Sequence, residues 1–506
     1  MKILIINPIS HVAQKSARYY RSVSPLPPLG LAYLAAIARD GGFEVSIEDQ
    51  YATRRSNQDI ARMIVDEDFD VVGISCLTAV MGNVISLVSQ IRSAKRSCTC
   101  ILGNIHPTLF ADELLKDDVA DIVVRGEGEE SFLEALTALR DDRMLNEIEG
   151  ISYRYAGGVY HNKGRGCIAD LDQLPVPAWD LCQLRYYRRY PMLGIYNKLV
   201  LPIQASRGCP YRCTFCSQDK MYDTFRCRNI YKVIDEIEYL YERFGIEYVG
   251  FTDAYFPVSI ESGLAFCDEF IKRKLHKKIR WFTETRVDKV NLDLLRRMKE
   301  ANLYLIMYGF EVGNQRILDS VNKCATLEQG YQAMEYTRKA GVLSLGLFVL
   351  GLPQEDASTC EETIRFAKKV NPDIVKFNIA TPFPGSKFYE DQWEPAKGED
   401  DPDRYTSWYD WSDTEGEILY SPEKMTKPEL SALQRKAMAS FYLRPWFIVR
   451  TLWRRTFSLA DMVYGGYFLM NDYVKLWSLK VRNTIGKWTN HYKETATRPK
   501  EAGHPG

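Results

Sequence analysis

A net charge is what this chain most plainly lacks. Its 66 Lys and Arg residues balance its 66 Asp and Glu residues, so no global field draws it to nucleic acid and no such partner is expected. It also lacks any uncharged apolar run of the roughly 18–20 residues that a membrane-spanning helix needs. The opening Met1-Lys2-Ile3-Leu4-Ile5-Ile6-Asn7-Pro8 is apolar for only a few residues before it meets a proline. It reads as a buried strand rather than a signal peptide, and the expectation is a cytoplasmic protein. Most of the 12 cysteines then stay reduced, with Cys76, Cys267 and Cys360 buried as small hydrophobes.

What is present is length and alternation. A chain of 506 residues exceeds one ordinary core, so two or three domains are expected. The expected class is α/β, in four stretches. Residues 1–145 alternate short apolar runs with amphipathic helical patterns, which implies a flavodoxin-like (Rossmann-type) parallel sheet with ligands beyond the strand carboxyl ends. Residues 146–195 form a linker containing a hairpin over Gly150–Gly164, with Gly157-Gly158 at its turn. Residues 196–395 repeat six strand–helix units, which implies a partial (β/α)6 TIM-type barrel. Residues 396–506 form a mainly helical tail.

The sharpest local signal is Ser206-Arg207-Gly208-Cys209-Pro210-Tyr211-Arg212-Cys213-Thr214-Phe215-Cys216. Three thiols at spacings of four and three follow the first strand of the barrel series. Thiolates are the ligands of iron–sulfur clusters. Three of them leave one iron of a 4Fe–4S cube without a protein ligand, free to chelate the amino and carboxylate groups of S-adenosylmethionine (SAM). The alternatives are a zinc site, which wants four ligands where only Cys227 lies nearby, or three buried thiols.

This cysteine motif, with an aromatic before the third Cys, resembles the radical SAM superfamily over about residues 196–395. The resemblance implies Cys209, Cys213 and Cys216 as cluster ligands and Phe215 near the adenine. It implies further SAM contacts from Asp253, Arg286 and Glu311 at later strand ends. Two departures stand out. Val312 follows Glu311 where many members have Ser, and Gly351-Leu352-Pro353-Gln354-Glu355 carries Gln where Gly is usual.

The first stretch resembles the cobalamin-binding domain that precedes such barrels in one large subgroup. The matching pieces are Asn7-Pro8, Pro28 and Gly30 opening the first helix, Ser75 ending the third strand, His106 after the fourth, and Gly126-Glu127-Gly128-Glu129 after the fifth. The resemblance implies that these residues bind cobalamin. No Asp-x-His-x-x-Gly motif supplies a lower cobalt ligand, and Asn104 stands where the family often has Gly.

Together the resemblances imply 4Fe–4S, SAM and cobalamin as cofactors, and methylation of an unactivated carbon of a small molecule such as a lipid or tetrapyrrole. A cyclase or ring-rearranging enzyme of the porphyrin monomethyl ester type, and a non-catalytic cobalamin sensor, are the other readings. With one cluster motif in the chain, the electron must come from a flavodoxin or ferredoxin. The basic-aromatic stretches Arg444–Arg455 and Lys480–Lys487 read as an amphipathic surface packed on the barrel, or as a peripheral membrane contact.

Overall fold

The computed structural model describes residues 1–10, 26–190, 195–392 and 418–454. The acidic, aromatic loop Glu399–Trp411 and the stretch Lys480–Lys487 lie outside the described residues. Among the described residues, no helix is long and apolar enough to cross a membrane.

β1 (Lys2–Asn7), β2 (Glu44–Asp49), β3 (Val71–Ser75), β4 (Thr99–Gly103) and β5 (Ile122–Val124) form a parallel sheet in the order β2-β1-β3-β4-β5. Near-continuous apolar runs such as Ile3–Ile6 are what a strand covered on both faces requires. The helix Leu29–Asp40 lays Ala32, Ala35, Ala36 and Ala38 inward, small side chains that let it approach closely. The helix expected over Pro107–Leu115 is broken at Phe110 into Ile105–Leu109 and Ala111–Lys116. The hairpin over 150–164 is present as β6 (Ile151–Tyr155) and β7 (Gly158–His161). It pairs antiparallel with β5 and enlarges the sheet to seven strands. Its turn is Ala156-Gly157, both at positive φ, one residue earlier than the glycine pair suggested.

After the two-residue strands β8 (Arg189–Tyr190) and β9 (Ile195–Tyr196) comes a second parallel sheet. It runs β10 (Val200–Ile203), β13 (Tyr248–Phe251), β14 (Arg280–Thr285), β15 (Leu303–Glu311), β16 (Leu343–Leu350) and β17 (Ile374–Ile379), in that order and open between β10 and β17. The intervening pair β11 (Ser206–Arg207) and β12 (Arg226–Cys227) is a separate antiparallel ribbon. Helices cover the outer face over Trp281, Ile306, Tyr308 and Phe348, all fully buried. Phe282, Leu305, Leu345 and Ile374 fill the inner face toward the amino ends. Further along, Glu284, Met307, Leu347, Lys376 and Asn378 are only half-buried while their outward neighbours are sealed. The interior therefore opens at the carboxyl ends.

The tail supplies the helices Lys427–Tyr442 and Pro445–Arg454. The second packs through Phe447 and Thr451, with arginines on the packed side. Arg444 and Arg450 turn to carbonyls at the start of β17's approach, Lys368, Asn371 and Pro372. Trp446, Ile448 and Val449 are exposed. Guanidinium groups satisfying helix-end carbonyls and the buried Phe447 share the packed face.

Candidate active site

The cysteine loop starts from a constrained root. Gly208 has φ +81°, and a Cβ there would stand 2.6 Å from the Thr224 carbonyl oxygen, so only glycine fits. The loop then turns on itself, Cys216 N donating to Cys213 O at 3.0 Å. Three ties fix it to later elements: Thr214 N to Val321 O, Asn322 Nδ2 to Arg212 O, and Phe388 N to Thr214 O. Cys209 and Cys213 are half-buried and Cys216 is exposed. Burial pushes the Cys213 thiol up to about 11, so iron binding must displace its proton. Three thiols on one short loop fit an iron–sulfur cube, which takes each thiolate at a different iron. Among the described residues no three His, Cys, Asp or Glu side chains converge on a single-ion site.

The residues expected to contact SAM stand around this loop, each already engaged. Asp253 is buried, accepting from Ala205 N at 3.1 Å and from Ser206 Oγ at 2.6 Å, and so holds the strand end from which the loop departs. Burial pushes its carboxyl up to about 7. Arg286 lies 3.5 Å over the Tyr211 ring and donates to the carbonyls of Lys323 and Cys324. Glu311 sits at φ 63°, where the β15–β16 register shifts, and pairs with Lys323 at 2.5 Å. Phe215 packs on the apolar cluster of Val312, Leu352 and Phe388. In the departing turn, Gln354 takes φ 67°, and Glu355 accepts from Gly351 N and Leu352 N.

The first sheet presents its carboxyl edge as a chain of hydrogen bonds. Asn104, at φ 87°, donates from Nδ2 to Ser75 Oγ at 3.0 Å, and Gly126 N donates to Thr108 Oγ1 at 3.0 Å. Among the described residues, nothing stands within 4 Å of where a Cβ would project at Gly30 or Gly126. Open backbone of this kind fits a broad, flat ligand such as a corrin. Pro28 stands at the N-cap position of the helix Leu29–Asp40, and Gly30 lies in its first turn. Asn7 instead donates to Asp49, which also accepts from the Tyr187 hydroxyl at 2.6 Å. His106 is fully buried, its Nδ1 3.1 Å from Thr78 Oγ1. Glu127 and Glu129 turn away from the edge into ion pairs with Arg207 and Arg226.

The two carboxyl edges face each other. Thr108 Oγ1 lies 3.8 Å from Met221 Sδ, and a Cβ at Gly385 would meet Leu109 Cδ1 at 3.0 Å. Sequence reasoning missed Lys323, Arg207, Arg226 and Glu284. Arg207 and Arg226 carry no local signature because their shared partner Glu127 is 80 and 99 residues away, and Lys323 and Glu284 carry none because only the fold brings them beside the loop. The Glu284 carboxylate has no hydrogen-bond partner among the described residues, although its backbone carbonyl accepts from Phe256 N, and burial followed by the nearby Glu311 charge raises the carboxyl to about 7.

Fold and site thus define an α/β enzyme whose chemistry sits between the strand ends of two parallel sheets. A family model described as a B12 binding domain matches residues 21–136, and one described as the radical SAM superfamily matches residues 203–367. An uncharacterized methyltransferase of Pyrococcus horikoshii is 32% identical over 456 residues, 89% of this chain and 95% of that one. The anaerobic magnesium-protoporphyrin IX monomethyl ester cyclase of Rubrivivax gelatinosus is 31% identical over 399 residues, 77% of this chain and 70% of that one. A solved radical S-adenosylmethionine methyltransferase from Kitasatospora setae, with cobalamin and a [4Fe-4S] cluster bound, shares the fold at TM-score 0.63 and 18% identity, with 76% of each chain covered. The chain belongs to the cobalamin-binding radical SAM family. Its cofactors are accordingly a 4Fe–4S cluster, SAM and cobalamin.

Proposed function

We propose that this enzyme methylates an unactivated carbon of a small-molecule substrate held between the two facing strand edges. The observation that carries the reading is the apposition of those edges, with the cysteine loop on one side and the open Gly30–Gly126 backbone on the other. When bound, the cluster with SAM supplies a hydrogen-abstracting deoxyadenosyl radical, and cobalamin supplies a transferable methyl group. Cys209, Cys213 and Cys216 hold the cluster. Asp253 and Arg286 fix the loop's root and its Tyr211, and Phe215 gives it an apolar seat. The Glu311–Lys323 pair presents one charge of each sign beside the loop, suited to the amino and carboxylate groups of SAM. Ser75, Gly126 and the first turn of the helix after Pro28 cradle the corrin, with Asn7 and His106 holding those strand ends from behind. The electron comes from a flavodoxin or ferredoxin.

A second reading, oxidation to a ring or a double bond, is favoured by one feature. After hydrogen-atom loss such a substrate must give up an electron, which the cluster or cobalamin would accept, and a proton, which the Glu284 carboxylate, without a side-chain partner among the described residues and half-buried on the second sheet, would receive. Candidate tetrapyrroles and polycyclic lipids, incubated anaerobically with methyl-labelled SAM, separate the two. Label in the product supports methyl transfer, and unlabelled product supports oxidation. Cys213→Ala should abolish 5′-deoxyadenosine formation in either case, and persistence of that product would refute the ligand assignment.

A further inference from the structure

The cysteine loop leaves the barrel through the β11–β12 ribbon, in which Arg207 pairs directly with Arg226. Both side chains enter the turn Gly126–Glu129 of the other sheet. Arg226 reaches the two oxygens of Glu127 at 2.8 and 2.9 Å. Arg207 spans two carboxylates, 3.2 Å from Glu127 Oε1 and 2.6 Å from Glu129 Oε1. Its guanidinium also lies 5.5 Å over the Tyr33 ring, on the helix Leu29–Asp40. A further bond from Ile168 N to Glu127 Oε2, at 2.6 Å, draws the interdomain segment into the same knot.

Arg207, Glu127 and Glu129 are each less than a tenth exposed. Charges taken so far out of water lose most of what they gain by pairing, so the knot is a poor device for stability. A bidentate arginine–carboxylate pair is, however, a stiff and directional joint. Its placement is telling. Arg207 lies two residues before Cys209, and Glu127 directly follows Gly126, whose amide is tied to the ligand edge of the first sheet. Both oxygens of Glu127 and one of Glu129 are thus engaged by these cations.

We propose that Glu127 and Glu129 are positioning residues that set the distance between the cluster loop and the first sheet's carboxyl edge, and so between the two cofactors. The proposal rests on the reading that both cofactors serve one substrate. Without this joint the two sheets would still pack, but the loop's root would swing relative to the corrin edge.

The test uses the full chain, reconstituted anaerobically with iron, sulfide and hydroxocobalamin and then reduced. Pulsed paramagnetic resonance reads the dipolar coupling between the reduced cluster and cob(II)alamin. Wild type should give one narrow distance. Glu127→Gln, which keeps the size and one acceptor but loses the charge, should give a broadened distribution, at cofactor contents within about twofold of wild type and with a melting transition still present. Glu127→Asp should narrow the distribution again. A single narrow distance in Glu127→Gln overturns the proposal, as does loss of either cofactor from a folded Glu127→Gln. If Glu127→Gln fails to fold, Arg226→Lys serves instead. It exchanges a two-point contact for a point charge, and it supports or overturns the proposal by the same broadening. Failure of the functional reading is distinguishable, because wild type would then carry both cofactors yet form neither labelled nor unlabelled product from the candidate substrates, whatever its distance distribution.

Discussion

At the scale of single residues, the carboxylates are the sensitive elements. Glu355 is buried, and burial pushes its carboxyl from 4.5 to about 7. A group whose pKa is raised on folding favours the native state below its unfolded value, and that contribution is lost as pH rises through the folded value. Glu355→Gln keeps an oxygen for the Gly351 and Leu352 amides and removes the titration. The melting temperature of the wild type should therefore fall more steeply than that of Glu355→Gln between about pH 4.5 and 7, by up to about 3 kcal/mol in stability. Equal slopes would show that this carboxyl does not titrate in that window. The cysteine triplet was legible in the sequence because its chemistry is local: three thiols, fixed spacing, one loop. Lys323 was not, because its pairing with Glu311 at the end of β15 depends on how the chain returns after the helix Gln315–Ser320. Glu127 looked like a ligand residue from its place after a strand, and only its arginine partners, 80 and 99 residues away, reveal its other task.

At the scale of elements, the six-stranded sheet has to manage a free edge. β17 presents unpaired backbone, and the helix Lys427–Tyr442 covers it. The Tyr442 hydroxyl donates to Val375 O at 2.7 Å and accepts from Val375 N at 2.9 Å, while Gln434 donates to Phe377 O. One side chain thus imitates a neighbouring strand. Tyr442→Phe strands both groups of Val375, at a cost of about 1–3 kcal/mol, measurable as a lower urea midpoint with unchanged slope. An unchanged midpoint would mean that water replaces the hydroxyl. Strands and helices were largely legible, since short apolar runs and period-3.6 patterns are local. Two features were not. The hairpin's pairing with β5 depends on which sheet edge is free, and the break at Phe110 depends on how the chain turns after β4.

At the scale of the molecule, the units share one core. A single apolar cluster runs from Ile3 and Ile5 of β1 through Ala178 and Trp179 to Leu201, Trp281 and Phe441. The interdomain segment is stitched to the first domain by Ala178 N donating to Ala32 O at 2.9 Å. Trp179 is fully buried, and Trp179→Ala should cost about 3–5 kcal/mol. Because the core is continuous, far-ultraviolet circular dichroism and the absorbance of bound cobalamin should be lost together on heating. Two separated transitions in the wild type would mean that the domains unfold independently. The sequence marked this segment as irregular from Pro175 and Pro177, and irregular backbone gives no hint that its tryptophan is a keystone.

The unclosed second sheet has one further consequence. A closed eight-stranded barrel is just wide enough for its own side chains to fill, whereas six strands with a gap between β10 and β17 make a wedge. Bulk entering a wedge from the flank displaces no strand, only the Lys427–Tyr442 helix that covers the edge of β17. Tolerance for larger molecules is then governed by whatever borders that gap, and attempts to broaden what the enzyme accepts should begin there rather than at the floor.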